Sequence, residues 1–155
     1  MQHVSYYELK VYLLLKERVS ELDGKIKEAK LSLSEVERYM ENISPMLSDM
    51  PRGNKKRDKI ADLVIKMEND RKLFKREYSN YNIEREAVLY QMATTRRAVS
   101  KIKDEQLKMI VEWHFFEGVP LTDIPDKTYT SDDGVEKTIG LTISGVRKRI
   151  DRILK

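Results

Sequence analysis

Nine apolar residues between Tyr7 and Ile43, namely Leu15, Val19, Leu22, Ile26, Ala29, Leu33, Val36, Met40 and Ile43, follow one another at steps of four and three. That alternation is the 3.5-residue repeat of a coiled-coil seam, with Lys, Glu, Arg and Ser filling the solvated positions between. A second run keeps the same beat: Ile60, Val64, Met67, Arg71, Phe74, Tyr78, Tyr81, Arg85, Val88, Met92, Thr95, Val99 and Ile102. Neither stripe can be buried by its own helix. The simplest fold packs one helix against the other as a long antiparallel hairpin spanning residues 1–103. Arg71 and Arg85 stand where the seam wants apolar side chains, the kind of substitution that fixes register or partner number at some cost in stability.

The ends of these helices follow from local chemistry. Asn42 and Pro45 are expected to stop the first helix, because a residue preceding proline is pushed out of the helical region. Gly24 lies outside the seam and is tolerated at a cost of up to ~1 kcal/mol relative to alanine. Residues 44–57 hold two prolines and a glycine and are read as a loop. Asp58 is the expected cap of the second helix. One seam per helix makes a thin core, and Leu14, Leu31, Leu63, Leu89 and Tyr90 add apolar surface beyond it, beside the bulk of Phe74 within it. A second copy of the chain is the simplest cover, so a homo-oligomer, most simply a dimer, is expected.

Composition removes several functional classes. The 155 residues include no cysteine, which rules out a disulfide scaffold, thiolate zinc and a cysteine nucleophile, and suits a reducing cytoplasm. The apolar run Val11–Leu15, flanked by Lys10 and Lys16, is far short of the ~20 residues of a membrane span and lacks the signature of a secretory signal. His3 and His114 are the only histidines, and the six glycines are scattered rather than gathered into a phosphate-cradling loop. No catalytic residue, metal site or cofactor is expected, and His114 between Trp113 and Phe115 reads as a packed residue of a helix. The 30 Lys and Arg exceed the 26 Asp and Glu by little, so the position of the positive charge matters more than its sum.

Residues 104–155 have a different texture and read as a separate unit of helix-turn-helix type. DEQLKMIVEWHFFEG is a short amphipathic helix with Leu107, Ile110, Val111, His114 and Phe115 inward and Gly118 as C-cap. Pro125 limits any helix after LTDI. Asp132-Asp133-Gly134 is a turn signal between two β-favouring runs, so an inserted hairpin is expected there. Thr142 then caps a last helix with Val146, Ile150, Ile153 and Leu154 on one face and cations on the other. In a major groove the amides at the Thr142 cap would meet a phosphate, Ile143, Ser144 and Arg147 base edges, and Arg149, Arg152 and Lys155 the backbone, with Lys148 a further DNA contact. Gly145 would permit close approach. The bland reading of the same residues is an amphipathic terminal helix with a solvated basic face. Further candidate phosphate contacts are Arg52, Lys55, Lys56 and Arg57 in the loop and Arg96, Arg97 and Lys101 before the terminal unit.

The stretch SPMLSDMPRGNKKRDKIADLVIKME resembles a pattern of phage-encoded regulators of Gram-positive bacteria, the ArpU/RinA-like late-gene activators. GLTISGVRKRIDRIL resembles the recognition helix of the promoter-binding fourth region of sigma factors, with Gly140, Thr142, Val146, Ile150, Ile153 and Leu154 on its spacing. EWHFFEGVPLTDI resembles the segment that precedes such a helix, with Gly118 and Ile124 in place. This chain departs from the pattern by having Asp123 for the usual glutamate, and by Pro125 with an insertion running through Ile139. Either an extra, wing-like hairpin separates the two helices or the second helix of the motif is degraded.

The resemblance implies a transcriptional activator of late or packaging genes in a bacterial host cytoplasm. Double-stranded DNA is the expected partner and RNA polymerase a candidate second one. Two other classes fit the same residues: a coiled-coil module that binds a phage or host protein, and a small-terminase-like packaging protein.

Overall fold

The computed structural model describes residues 5–53 and 55–154. It is mainly helical, with two long helices packed against each other and a small C-terminal region containing one strand pair, as the seam and turn signals predict. The first helix, α1, runs Tyr6–Ser48 and the second, α2, Lys55–Ser100. None of the seam residues named above is exposed on either helix. Contacts divide the chain into two compact units, one of residues 19–87 and one of residues 1–18 together with 88–155. That differs from a boundary at 103/104, because residues from the outer ends of both long helices are buried together with the C-terminal elements.

In the 19–87 unit the two helices face each other along the seam, where Leu22 and Ala29 are the buried apolar residues among those described. Arg85 Nε donates to Asp23 Oδ1 across the pair, which explains how a cation is accommodated at a seam position and ties the register of one helix to the other. Arg71 pairs within its own helix, Nη2 to Glu68 Oε1 at 2.8 Å.

The connection between the helices corrects three expectations. The first helix does not stop at Asn42, and Pro45 lies inside it. A proline removes one N–H and so one backbone bond. So close to the helix end that loss is small, and the Ser48 hydroxyl donates to the Pro45 carbonyl at 2.8 Å. The 44–57 loop is therefore a short turn around Gly53, whose φ of 80° suits glycine. Asp58 sits within the first turn of α2 rather than at its cap, where its charge still meets the positive helix end.

The other unit has a denser core. Leu9, Val99, Leu107, Ile110, Val111 and Trp113 are buried with Phe115, Ile124, Ile139, Val146 and Ile150 in one cluster. Helix α3, Glu105–Val111, is capped by Asp104, whose Oδ1 accepts from the Leu107 amide at 3.1 Å. The chain then widens into a π-helical turn at Glu112–Phe116. This wider turn breaks the 3.6-residue phase, so Trp113 and Phe115 are both buried and His114 is left half-buried rather than inward. Gly118 follows with φ 74°, and a Cβ there would stand 3.4 Å from Leu13 of α1. The helix ending is thus also a close approach to α1.

No helix forms where the sigma-like pattern places its second one. Residues 120–127 make successive turns, with the Asp123 amide donating to Pro120 and the Lys127 amide to Ile124, both at 3.0 Å. The inserted hairpin is present: β1 Thr128–Thr130 pairs antiparallel with β2 Glu136–Thr138, Tyr129 opposite Lys137. Gln106 Nε2 donates to the Ile139 carbonyl at 2.9 Å, fastening the hairpin to α3. The last helix, α4, spans Ile143–Asp151.

Candidate nucleic-acid interface

Thr142 holds the start of α4 as the sequence predicts. Its backbone is extended and its Oγ1 accepts from the Gly145 amide at 3.1 Å. The amides of Ile143 and Ser144 precede the first intrahelical bond, from Val146 to Thr142, and so have no partner within the helix. A Cβ at Gly145 would stand 3.2 Å from Thr142 Oγ1, a tight contact that the cap hydroxyl would have to yield to by a few tenths of an ångström.

A 100° advance per residue places Val146 and Ile150 on one side of α4 and Ser144, Arg147, Lys148 and Arg152 on the other. Val146 and Ile150 are buried, while Thr142, Ser144, Arg147, Lys148 and Arg152 are exposed and Ile143 is 42% exposed. Among the described residues no ion pair engages Arg147, Lys148 or Arg152. Asp151 is the one acidic residue within this face of the helix. The exposed side therefore presents three cations, one carboxylate, the Ser144 hydroxyl and the partly exposed Ile143 on a capped helix. Lys155 lies outside the described residues.

Arg149 is placed differently from the expectation. It is half-buried, and its Nη1 donates to Asp104 Oδ2 at 3.1 Å. The same carboxylate caps α3 through its other oxygen, so Asp104 joins the N-terminus of α3 to the flank of α4. Sequence reasoning missed both duties. The cap had a local signal, an aspartate three residues before Leu107, whereas the partner 45 positions away had none.

Of the remaining candidate phosphate contacts, Arg97 and Lys101 are exposed in the same unit as α4. Arg96 donates from Nε to the hydroxyl of Tyr12, a fully buried residue whose ring lies 4.2 Å from that of Phe116. Arg52, Lys55, Lys56 and Arg57 belong to the 19–87 unit. Arg57 Nη1 donates to the Met50 carbonyl and closes the turn between the long helices. Arg52, Lys55 and Lys56 are exposed.

The hairpin does not extend the cationic face. Its tip carries Asp132, Asp133 and Glu136 against Lys137, an acidic end that phosphate would repel. The Ser131 hydroxyl and the Val135 amide, with Lys137 beside them, hold the Asp133 carboxyl below the usual carboxylate range.

Among the described residues no group of three or more acidic or histidine side chains could hold a metal ion, and no helix is long and apolar enough to cross a membrane. Comparison of the chain with protein-family models, curated proteins and solved structures finds no match.

Proposed function

We propose that the chain is a sequence-specific double-stranded-DNA-binding regulator, read out by α4, with the long helical hairpin serving assembly. The observation that carries this reading is the exposed side of α4, where Ser144, Arg147, Lys148 and Arg152 are exposed and, among the described residues, the three cations have no ion-pair partner, while Val146 and Ile150 anchor the helix inward. Arg147 has the length and donors to meet guanine acceptors. Ile143 offers an apolar contact for a thymine methyl, and the cap amides suit a phosphate. The resemblance to ArpU/RinA-like regulators narrows the proposal to an activator of late or packaging genes in a bacterial host. Selection from a random duplex library by the purified chain tests it: enrichment of one motif supports the reading, and recovery of unenriched sequence opposes it.

A second reading is favoured by a separate observation. Leu31, Tyr39, Ile65, Leu73 and Ile83 of the 19–87 unit are each about half or more exposed. Such surface suits a protein partner or a second copy, and the hairpin would then be an interaction module with DNA contact incidental. Sedimentation of the purified chain over a range of concentrations separates the two occupants: self-association supports the second copy, a monomer throughout supports a different protein.

A further inference from the structure

We infer that the cavity beside α4 binds a small aromatic or aliphatic monoanion carrying a hydrogen-bond donor, and that this ligand competes with DNA for Arg147. The binding itself stands apart from the proposed function; its consequence for DNA rests on that reading. The cavity is a solvent-open cleft of about 650 Å³ within the unit of residues 1–18 and 88–155, a volume within the range of small-molecule sites. Leu9, Leu13, Phe115, Leu121, Ile150 and Leu154 supply apolar wall from α1, the π-helical turn, the 120–127 turns and α4 with the residues after it.

Five polar side chains line it: Tyr6, whose ring lies 4.9 Å from Lys10 Nζ, and four that set the ligand's charge and donor. Lys10 and Arg147 line the cavity from opposite helices, and both residues are exposed enough to meet a ligand at its mouth. Asp151 lines it too, leaving one surplus positive charge among the described residues, which selects a monoanion over a neutral or doubly charged compound. His114 is fixed by its Nδ1 lying 2.9 Å from the Val119 carbonyl. A carbonyl only accepts, so Nδ1 carries the proton and, in the neutral ring, Nε2 is an acceptor. With the Asp151 carboxylate this gives two acceptors for an O–H or N–H on the ligand. The π-helical turn has a reason here as well, since it brings both His114 and Phe115 to the wall, and such turns recur at functional sites.

Arg147 is the link to regulation. It lies on the exposed face of α4 and also on the cavity, so one guanidinium serves either a ligand anion or a duplex. Occupancy therefore lowers DNA affinity, and by linkage DNA lowers ligand affinity by the same factor.

Anilinonaphthalene sulfonate fits this description, with apolar rings, one sulfonate and one anilino N–H; its uncharged parent N-phenylnaphthylamine differs by the sulfonate alone. Fluorescence titration of the full chain with both dyes is the test. Saturable binding of one sulfonate dye per chain is expected. Lys10→Gln should weaken the sulfonate about tenfold, the value of one charge-assisted hydrogen bond, and leave the parent dye unchanged. Asp151→Asn should strengthen the sulfonate. Absence of saturable binding, or equal effects of Lys10→Gln on both dyes, overturns the assignment. So does binding that emerges only when residues 1–4 are removed, which would make the chain's own start the occupant. A random-sequence duplex supplies the second arm: the dye should displace the duplex from the wild-type chain. Dye binding that leaves duplex affinity unchanged overturns the competition. A chain that takes the dye but no duplex keeps the cavity assignment and loses the proposed function.

Discussion

Asp104 carries two unrelated jobs on one carboxylate, and each has a measurable consequence. As the cap of α3 it satisfies the Leu107 amide, and as a counter-ion it holds Arg149 on the flank of α4. Removing the cap alone costs about 1 kcal/mol. The ion pair is about a third to a half exposed and adds a fraction of that after solvent screening. Asp104→Ala should thus lower thermal stability more than Arg149→Ala does, in a denaturation midpoint measured on each. The two also separate phosphate contact from positioning. Lys148→Ala should reduce the salt slope of DNA binding by about one counter-ion, whereas Arg149→Ala should leave that slope unchanged.

Asp133 makes a further residue-scale prediction. Its folded carboxyl lies below its unfolded value because the Ser131 hydroxyl, then the Val135 amide, bond the charged form. A lowered folded value means the turn gains support that is complete above the unfolded carboxylate range and is lost as pH falls through the lower folded value. An NMR titration of the folded chain should place the Asp133 midpoint below that of the same residue in urea. Coincident midpoints would remove the hydrogen bonds as its cause.

Elements formed where their signals were periodic and repeated. The two seams state their partner's face every few residues, so both long helices and their pairing are legible from Leu15 to Ile102. Thr142 and the Asp132-Asp133-Gly134 turn are likewise local signals, each read by the chain within three or four residues. Elements set by packing were not legible. The π-helical turn exists because Trp113 and Phe115 both find places in a core built from distant segments, and no local pattern announces that. Pro45 misleads for a related reason: its penalty is fixed, but its position three residues from the helix end makes that penalty affordable. Two glycines test this account of the elements. Gly24 has open space around it inside α1, so Gly24→Ala should stabilise the chain by up to ~1 kcal/mol. Gly118 combines φ 74° with the approach of Leu13, so Gly118→Ala should destabilise by more than Gly24→Ala stabilises. Equal and opposite shifts in thermal midpoint would argue that the Leu13 contact yields without strain.

At the scale of the molecule, the contact boundary inside the long helices is the feature the sequence hid. Heptads continue unbroken through residues 18/19 and 87/88, yet Leu9, Tyr12 and Val99 are fully buried in the unit that also holds the C-terminal elements. The terminal unit thereby gains a core from α1 and α2 that residues 104–155 alone would lack. That core lets α4 turn Val146 and Ile150 inward and keep its cationic side in solvent, and every functional statement above depends on it. Arg147 and Lys148 are exposed and unpaired among the described residues, so replacing them alters the surface and spares the fold. The most direct measurement is a fluorescence-anisotropy titration of a library-selected duplex with the wild-type chain and with Arg147→Ala/Lys148→Ala, their thermal midpoints compared first. A loss of about tenfold or more in affinity at an unchanged midpoint is the predicted result. Equal affinity of the two proteins for that duplex would contradict it.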